Sequence, residues 1–475
     1  MKKYSKGLIA GCLLALALTA CTGGGLTNGN AGSSGSETGE GTGASPAASS
    51  DGNASHDGSK KTIVFSTFWQ DPKYEEAKKE YEALHPDVEI KLENVDYTDA
   101  TLEADMEKYV TTTNAAMLAG KGPDLLEMDM LPVDSYMKHG LLTDLSPMMA
   151  QDNSFKKADY FMNVIDNVRA GDSLYSMPLS FFLMGFAGDE GAIGKTGVKV
   201  DDQSWSWADF TKTAKSMTAT GGLPSVLSYE GPEYLLGEMV SDNYSLFVEP
   251  DGRKAHFDSA SFTGLMKQVK GMFDEGLVSK IGRGANAYFQ SVQINSPKDY
   301  LESMQVAGLQ MKMFAKEDGD HMKLYAKPHA QDTAAGGYFK TYRSVAISEN
   351  SKVKPEAWDF IKFMLSQDIQ SAATTTGFPV NKAAYAIQIG ELKKQGAFKS
   401  AEEGPLHGSM IQADGGMLSG LDTYVNGAVH PAQDNKSDKM RELIITESKA
   451  YFAGQKTAEA VANLVQNKAM TYLNE

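Results

Sequence analysis

Residues 62–70 read TIVFSTFWQ, and residues 71–86 follow without a break as DPKYEEAKKEYEALHP. The first run is β-branched and aromatic, the composition of a buried strand; the second is polar with helical spacing and stops at Pro86. Asp71 before Pro72 forms a helix start, an N-cap acceptor followed by a proline whose missing N–H costs nothing in the first turn. Strand then helix recurs: VEIKLENV (88–95) is a strand, TLEADMEKYVTTTNAAMLAG (101–120) a helix, GPDLLEMDM (122–130) a strand and PVDSYMKHG (132–140) a helix. Such alternation predicts an α/β fold, a parallel sheet with helices on both faces.

Ligands of open α/β sheets bind beyond the carboxyl ends of the strands. Two segments fall there: Trp69, Gln70 and Asp71 after the first strand, and Glu127, Met128 and Asp129 at the end of the third. Each sets a carboxylate beside an apolar group. Carboxylates take hydrogen bonds from neighbouring hydroxyls, and an aromatic face packs on the C–H face of a sugar ring, so both segments are candidate carbohydrate contacts.

Working outward to the N-terminus, residues 1–25 read MKKYSKGLIAGCLLALALTACTGGG. Lys2, Lys3 and Lys6 precede an apolar stretch too short to span a bilayer comfortably, the pattern of a signal peptide over residues 1–20. Leu18-Thr19-Ala20-Cys21 resembles the bacterial lipobox, which implies cleavage before a lipidated Cys21. Cys12, the other of the chain's two cysteines, falls in the removed segment, so the mature protein is expected to hold no disulfide. Residues 21–60, rich in Gly, Ser, Thr and Ala, cannot bury enough surface to fold and read as a flexible tether. The expected location is therefore the cell membrane, lipid-anchored on the extracytoplasmic face. A net charge of −16 argues against nucleic acid as a partner.

Other chemistries lack their signatures. H-E-x-x-H, G-x-S-x-G and P-loop patterns are missing, so no metal site, cofactor or hydrolase nucleophile is expected. The pairs Met128/Met130 and Met311/Met313 read as adaptable packing. Ala357, Phe360, Ile361, Met364 and Leu365 recur at helical spacing after Pro355, a core-facing helix in which Trp358 is a packing residue; Trp207 is assigned the same role.

Further motifs extend over the chain. Gly122-Pro123-Asp124, the passage Gly171 to Pro178, Ser206-Trp207-Ala208-Asp209-Phe210, the run from Tyr338 to Lys352, PEAWDFIKFMLSQDIQ (355–370) and GFPVNKAA (377–384) stand in an order and spacing similar to those of the solute-binding proteins of ABC importers, in the branch that includes maltose-binding protein. The resemblance implies a two-lobed periplasmic-binding-protein fold of type II, each lobe a sheet flanked by helices, with a hinge and an interlobe cleft. Lobe one would hold residues 61–176 and 327–376, and lobe two residues 177–326 and 377–475. It implies a monomer without enzymatic activity that captures a solute and delivers it to an ABC permease. To Trp69, Gln70, Asp71, Glu127 and Asp129 it adds, as substrate-binding residues, Tyr229 and Glu230 from the second lobe, and Tyr338 and Tyr342 from the GGY segment onwards. Met128 stands where maltose-binding protein brings a tryptophan near its ligand, which leaves the sugar open. Arg343 reads either as a partner for an acidic ligand or as half of an internal ion pair. Two rivals are a tethered glycoside hydrolase using Glu127 and Glu230, and a ligand sensor for a membrane kinase.

Overall fold

The computed structural model describes residues 60–474, except 250–252, 281–285, 331–332, 373–375, 402–405 and 433–435. The leader, Cys21 and the tether lie outside the described residues. Strands β1 (Lys61–Ser66), β2 (Val88–Glu93) and β3 (Leu125–Glu127) form where the sequence places them, and the helices Pro72–Leu84, Leu102–Leu118 and Val133–Lys138 lie between and after them. β2 and β3 pair in parallel on either side of β1.

The remaining strands are β4 (Met177–Asp189), β5 (Ser225–Tyr229), β6 (Val278–Lys280), β7 (Ala287–Ile294), β8 (Met322–Ala326), β9 (Gly337–Ile347), β10 (Phe378–Pro379), β11 (Ala397–Lys399), β12 (Met410–Gln412) and β13 (Ala428–Pro431). β5 pairs in parallel with β6 and β7, a second parallel set like the first. Eleven strands run in the order β2-β1-β3-β9-β4-β7-β5-β6, with β10 and β8 added on β4 and β13 on β9.

The register shows how the two sets are joined. Val345 of β9 pairs with Glu127 at the end of β3 and with Met177 of β4. Leu183 of β4 pairs with Ile294 at the end of β7 and with Phe339 of β9. Between these anchor points residues 178–182 and 340–344 are, among the described residues, the sheet segments that cross, joined by β10 against Ser180 and Phe181. The carboxyl ends of both parallel sets therefore point at one short three-stranded bridge, and the switch point of each lies beside it.

Packing follows from the alternation of side chains along each strand. Leu125 and Glu127 face the helix Pro72–Leu84, where Leu125 joins the main core with Phe65, Tyr74 and Phe360. Leu126 and Met128 face the other way into a smaller core with Phe68, Tyr109 and Tyr136. Trp207 and Trp358 are 4% and 5% exposed and pack in the main core. Trp207 opens its helix behind a capping box, Ser206 and Asp209 each bonding the other's backbone N–H. Among the described residues no helix is long and apolar enough to cross a membrane.

Candidate functional site

Asp71 performs two tasks. Its Oδ1 accepts from the Lys73 N–H at 2.9 Å and caps the helix Pro72–Leu84, while its Oδ2 meets Arg343 Nη2 at 3.1 Å. Glu127, 3% exposed, accepts from the Tyr74 hydroxyl at 2.7 Å and takes Arg343 Nη1 at 2.9 Å on both oxygens. Asp129 accepts the backbone N–H groups of Arg343 at 2.9 Å and Ser344 at 3.0 Å. All three carboxylates at the ends of β1 and β3 thus converge on one residue of the bridge.

Arg343 is held in a left-handed conformation, φ 58°. A non-glycine residue there costs about 1–3 kcal/mol. Asp129, which binds two successive amides at that point, and the guanidinium's two carboxylate partners offset the cost. The guanidinium lies 4.8 Å from the Tyr342 ring and 5.9 Å from that of Tyr74. Burial pushes the Glu127 carboxyl up to about 7, against the downward pull of Arg343 and Tyr74. Burial also lowers Lys73 to about 8, although Asp71 and Glu76 oppose the shift. On the open side lies a cavity of about 540 Å³, counting space continuous with solvent, lined by Asp71, Lys73, Tyr74, Ser180, Tyr342 and Arg343 among others.

The model of the family described as bacterial extracellular solute-binding protein matches residues 69–371, from Trp69 through both crossing segments of the bridge to the end of helix Gln367–Ser371. The chain belongs to this family. A binding protein of Brucella abortus (strain 2308) is 24% identical to this solute-binding protein over 321 residues, 66% of this chain and 73% of its own. The solved extracellular solute-binding protein family 1 from Alicyclobacillus acidocaldarius superposes with a TM-score of 0.58 at 16% identity, covering 88% of this chain and 99% of that one. The sugar-binding protein MalE from Xanthomonas citri gives 0.59 at 14% identity over 87% and 98%. The cyclic alpha-maltosyl-1,6-maltose binding protein from Arthrobacter globiformis gives 0.56 at 13% over 87% and 99%. The fold is the α/β, two-lobed type II fold of periplasmic solute-binding proteins, and the family is one that binds substrates outside the cytoplasm.

In this solute-binding protein Asp71, Glu127, Asp129 and Tyr342 come together as one group. Arg343, whose role the sequence left open, sits at their centre in an internal ion pair with Asp71 and Glu127. Trp69 is half-buried against the smaller core, edge-on to Phe68 and Tyr97, and Gln70 is exposed with its amide on Asp96 Oδ1 at 2.9 Å. Tyr229, at the end of β5, is buried in the main core, and Glu230 beside it is exposed.

Tyr338 is placed differently from a stacking platform. It is 1% exposed, its hydroxyl donates to Asn243 Oδ1 at 3.2 Å, and its ring lies 5.0 Å from that of His430 and 5.4 Å from Lys327 Nζ. Lys327, itself 1% exposed, is bound by Glu238 at 2.6 Å and by Asp242. Asp242 is pushed up to about 6 by burial against the pull of Lys327.

Sequence reasoning missed Tyr74, Lys73 and Ser180. The first two lie in the first turn after the Asp71-Pro72 start, so the helix cap itself was the signal that placed them. Among the described residues no three His, Cys, Asp or Glu side chains are grouped to hold a metal ion.

Proposed function

We propose that this solute-binding protein captures a carbohydrate, in the form of an oligosaccharide, between its lobes and passes it to an ABC permease. The observation that carries the reading is the convergence of both parallel strand sets on a short bridge, beside a cavity lined by Asp71, Ser180, Tyr342 and Arg343. Carboxylates, hydroxyls and an aromatic face are the groups that bind sugar hydroxyls and C–H faces. Solved relatives of the same fold described as binding sugar support the same ligand class.

In this proposal residues 61–177 with 345–376 form one lobe and residues 183–339 with 377–475 the other; residues 327–339, expected from the resemblance in the first lobe, are assigned to the second, because Phe339 pairs with Leu183 and Lys327 is bound by Glu238 and Asp242. Bending at residues 178–182 and 340–344 closes them on the ligand, and the closed form is what the permease recognises. Lipid at Cys21 and the tether over 21–60 keep the protein at the extracytoplasmic face of the cell membrane. No reaction is assigned: Glu127, one of the two carboxylates a hydrolase would need, is already held by Tyr74 and Arg343.

The test is a thermal-shift screen of the chain from residue 61 against mono- and oligosaccharides, polyols and short peptides. A ligand at 100 times its Kd adds about 2.7 kcal/mol of stability, enough to raise Tm by about two degrees or more. A response to sugars is the expected result. A response confined to polyols or peptides overturns the carbohydrate assignment, and new reducing ends from an oligosaccharide overturn the assignment of pure capture.

A further inference from the structure

The loop after β2 carries an aromatic residue that none of the sequence motifs singled out. Tyr97 is 38% exposed. Its ring stacks on Phe68 at 5.4 Å and 20°, and stands at 88° to the ring of Trp69 with centroids 5.3 Å apart. Phe68 is buried and backs one face of Tyr97. Trp69 is perpendicular to Phe68 as well, at 87°. Trp69 and Tyr97 together make a right-angled aromatic corner.

The corner is built rigidly. Parallel pairing continues beyond β1 and β2 through Thr67 N–H to Glu93 O at 2.9 Å and Val95 N–H to Phe68 O at 3.2 Å, which fixes the start of the loop. On the far side of Tyr97 a turn closes with Thr98 N–H on Thr101 Oγ1 at 3.0 Å and Thr101 N–H on Thr98 O at 2.9 Å. Beside the rings, the exposed Asp96 carboxylate receives the exposed Gln70 amide, so an acceptor and a donor for hydroxyls flank the apolar surface. Only Gln70 separates Trp69 from Asp71, which lines the cavity.

We infer that Trp69 and Tyr97 are a sugar-binding corner that holds one pyranose ring of the ligand, with Asp96 and Gln70 binding its hydroxyls. The inference rests on the carbohydrate reading above and sharpens it. Two perpendicular aromatic planes grip a rigid ring on a face and an edge at once, whereas a linear polyol has no face to offer. Because the loop is already fixed by its backbone bonds, little ordering has to accompany binding. Tyr97 is then a specificity-determining residue that selects pyranosides over linear polyols.

The test uses the chain from residue 61, titrated calorimetrically with maltotriose, cellotriose, xylotriose, raffinose, sorbitol and trialanine. Wild type, Tyr97→Ala, Tyr97→Phe and Trp69→Phe are compared, with a thermal melt of each to verify folding. The expected result is that a sugar binds the wild type, Tyr97→Ala weakens it by about tenfold, and Tyr97→Phe stays within about threefold. Acrylamide quenching supplies a second readout. Trp205, Trp207 and Trp358 are 4–5% exposed, so quenching of the wild type reports chiefly on half-buried Trp69. Bound sugar should reduce it to the level of Trp69→Phe. A sugar that binds wild type and Tyr97→Ala equally, with quenching unchanged, overturns the corner and leaves the carbohydrate reading standing. Binding of sorbitol or trialanine alone, or of nothing in the set, overturns both.

Discussion

Two clusters in this protein share one plan, a cation between two carboxylates over a tyrosine ring, and they face opposite ways. Lys327 lies between Glu238 and Asp242 above Tyr338, sealed at 1% exposure. Arg343 lies between Asp71 and Glu127 above Tyr342, and that group lines the cavity. A buried ion pair adds little net stability, since desolvation offsets the attraction, yet removing one partner leaves an expensive orphan charge. The Lys327 cluster therefore locks local structure. The Arg343 cluster borders open space, and under the proposed function a ligand's hydroxyls would compete there for Asp71. Arginine suits the second task, because its planar fork holds two carboxylates at fixed angles while a face remains for stacking.

The contrast can be broken at several points. Lys327→Met strips the cation from the fully buried Asp242 and is expected to cost about 3–5 kcal/mol in urea denaturation; a loss under 1 kcal/mol would show that the carboxyls were neutral to begin with. Tyr338→Ala empties a site with 1% exposure and should cost about 3 kcal/mol, seen as a fall in Tm rather than as a loss of affinity alone.

The third test uses pH. Glu127 has a folded pKa of about 7 against an ordinary value of 4.5, so the folded state keeps a proton that the unfolded chain has lost. Its contribution to stability is therefore full below about 4.5 and declines as pH rises to about 7, by up to about 1.4 kcal/mol per pH unit. Glu127→Gln should flatten that decline in denaturation midpoints measured from pH 4.5 to 7; parallel curves would mean that Arg343 keeps Glu127 ionised throughout. The smallest structural effect is expected of Tyr342→Ala. Its ring is half-buried and stacked on Phe182 at 4.7 Å, so the fold should lose about 1 kcal/mol while sugar affinity falls by about tenfold. An affinity unchanged by that substitution would detach the cavity from the ligand.

The sequence displayed the local part of this architecture and concealed the long-range part. Asp71-Pro72 announced both a helix start and a strand end, and the apolar spacing from Ala357 to Leu365 announced a core helix; both are read over a few residues. Arg343, which joins Glu127 and Asp129, lies more than 200 residues away in β9, and no local pattern says that a strand will cross there. Arg343 was ambiguous for the same reason, since an arginine amid aromatics suits either a ligand or a neighbour. Tyr338 shows the reverse error. An aromatic after two glycines looks exposed in one dimension, but Asn243 and His430, which help to enclose it, lie about 90 residues away on either side. Tyr97 went unnoticed because its meaning depends on Phe68 and Trp69, just past the adjoining strand β1.

The three-strand bridge has a consequence for how the molecule can be taken apart. Neither half of the sheet is a continuous stretch of polypeptide, since β4 and β9 each begin on one side and end on the other. A protease that nicks one crossing leaves the other crossings and the ladder between them in place, and the two pieces stay interwoven. By the same topology, residues 61–176 made alone would lack β9, the strand that covers the flank of β3 and brings Arg343 to its carboxylates. The Arg343 group is thus assembled only once most of the polypeptide has been synthesised, and a prematurely terminated chain carries the carboxylates without the cation that holds them.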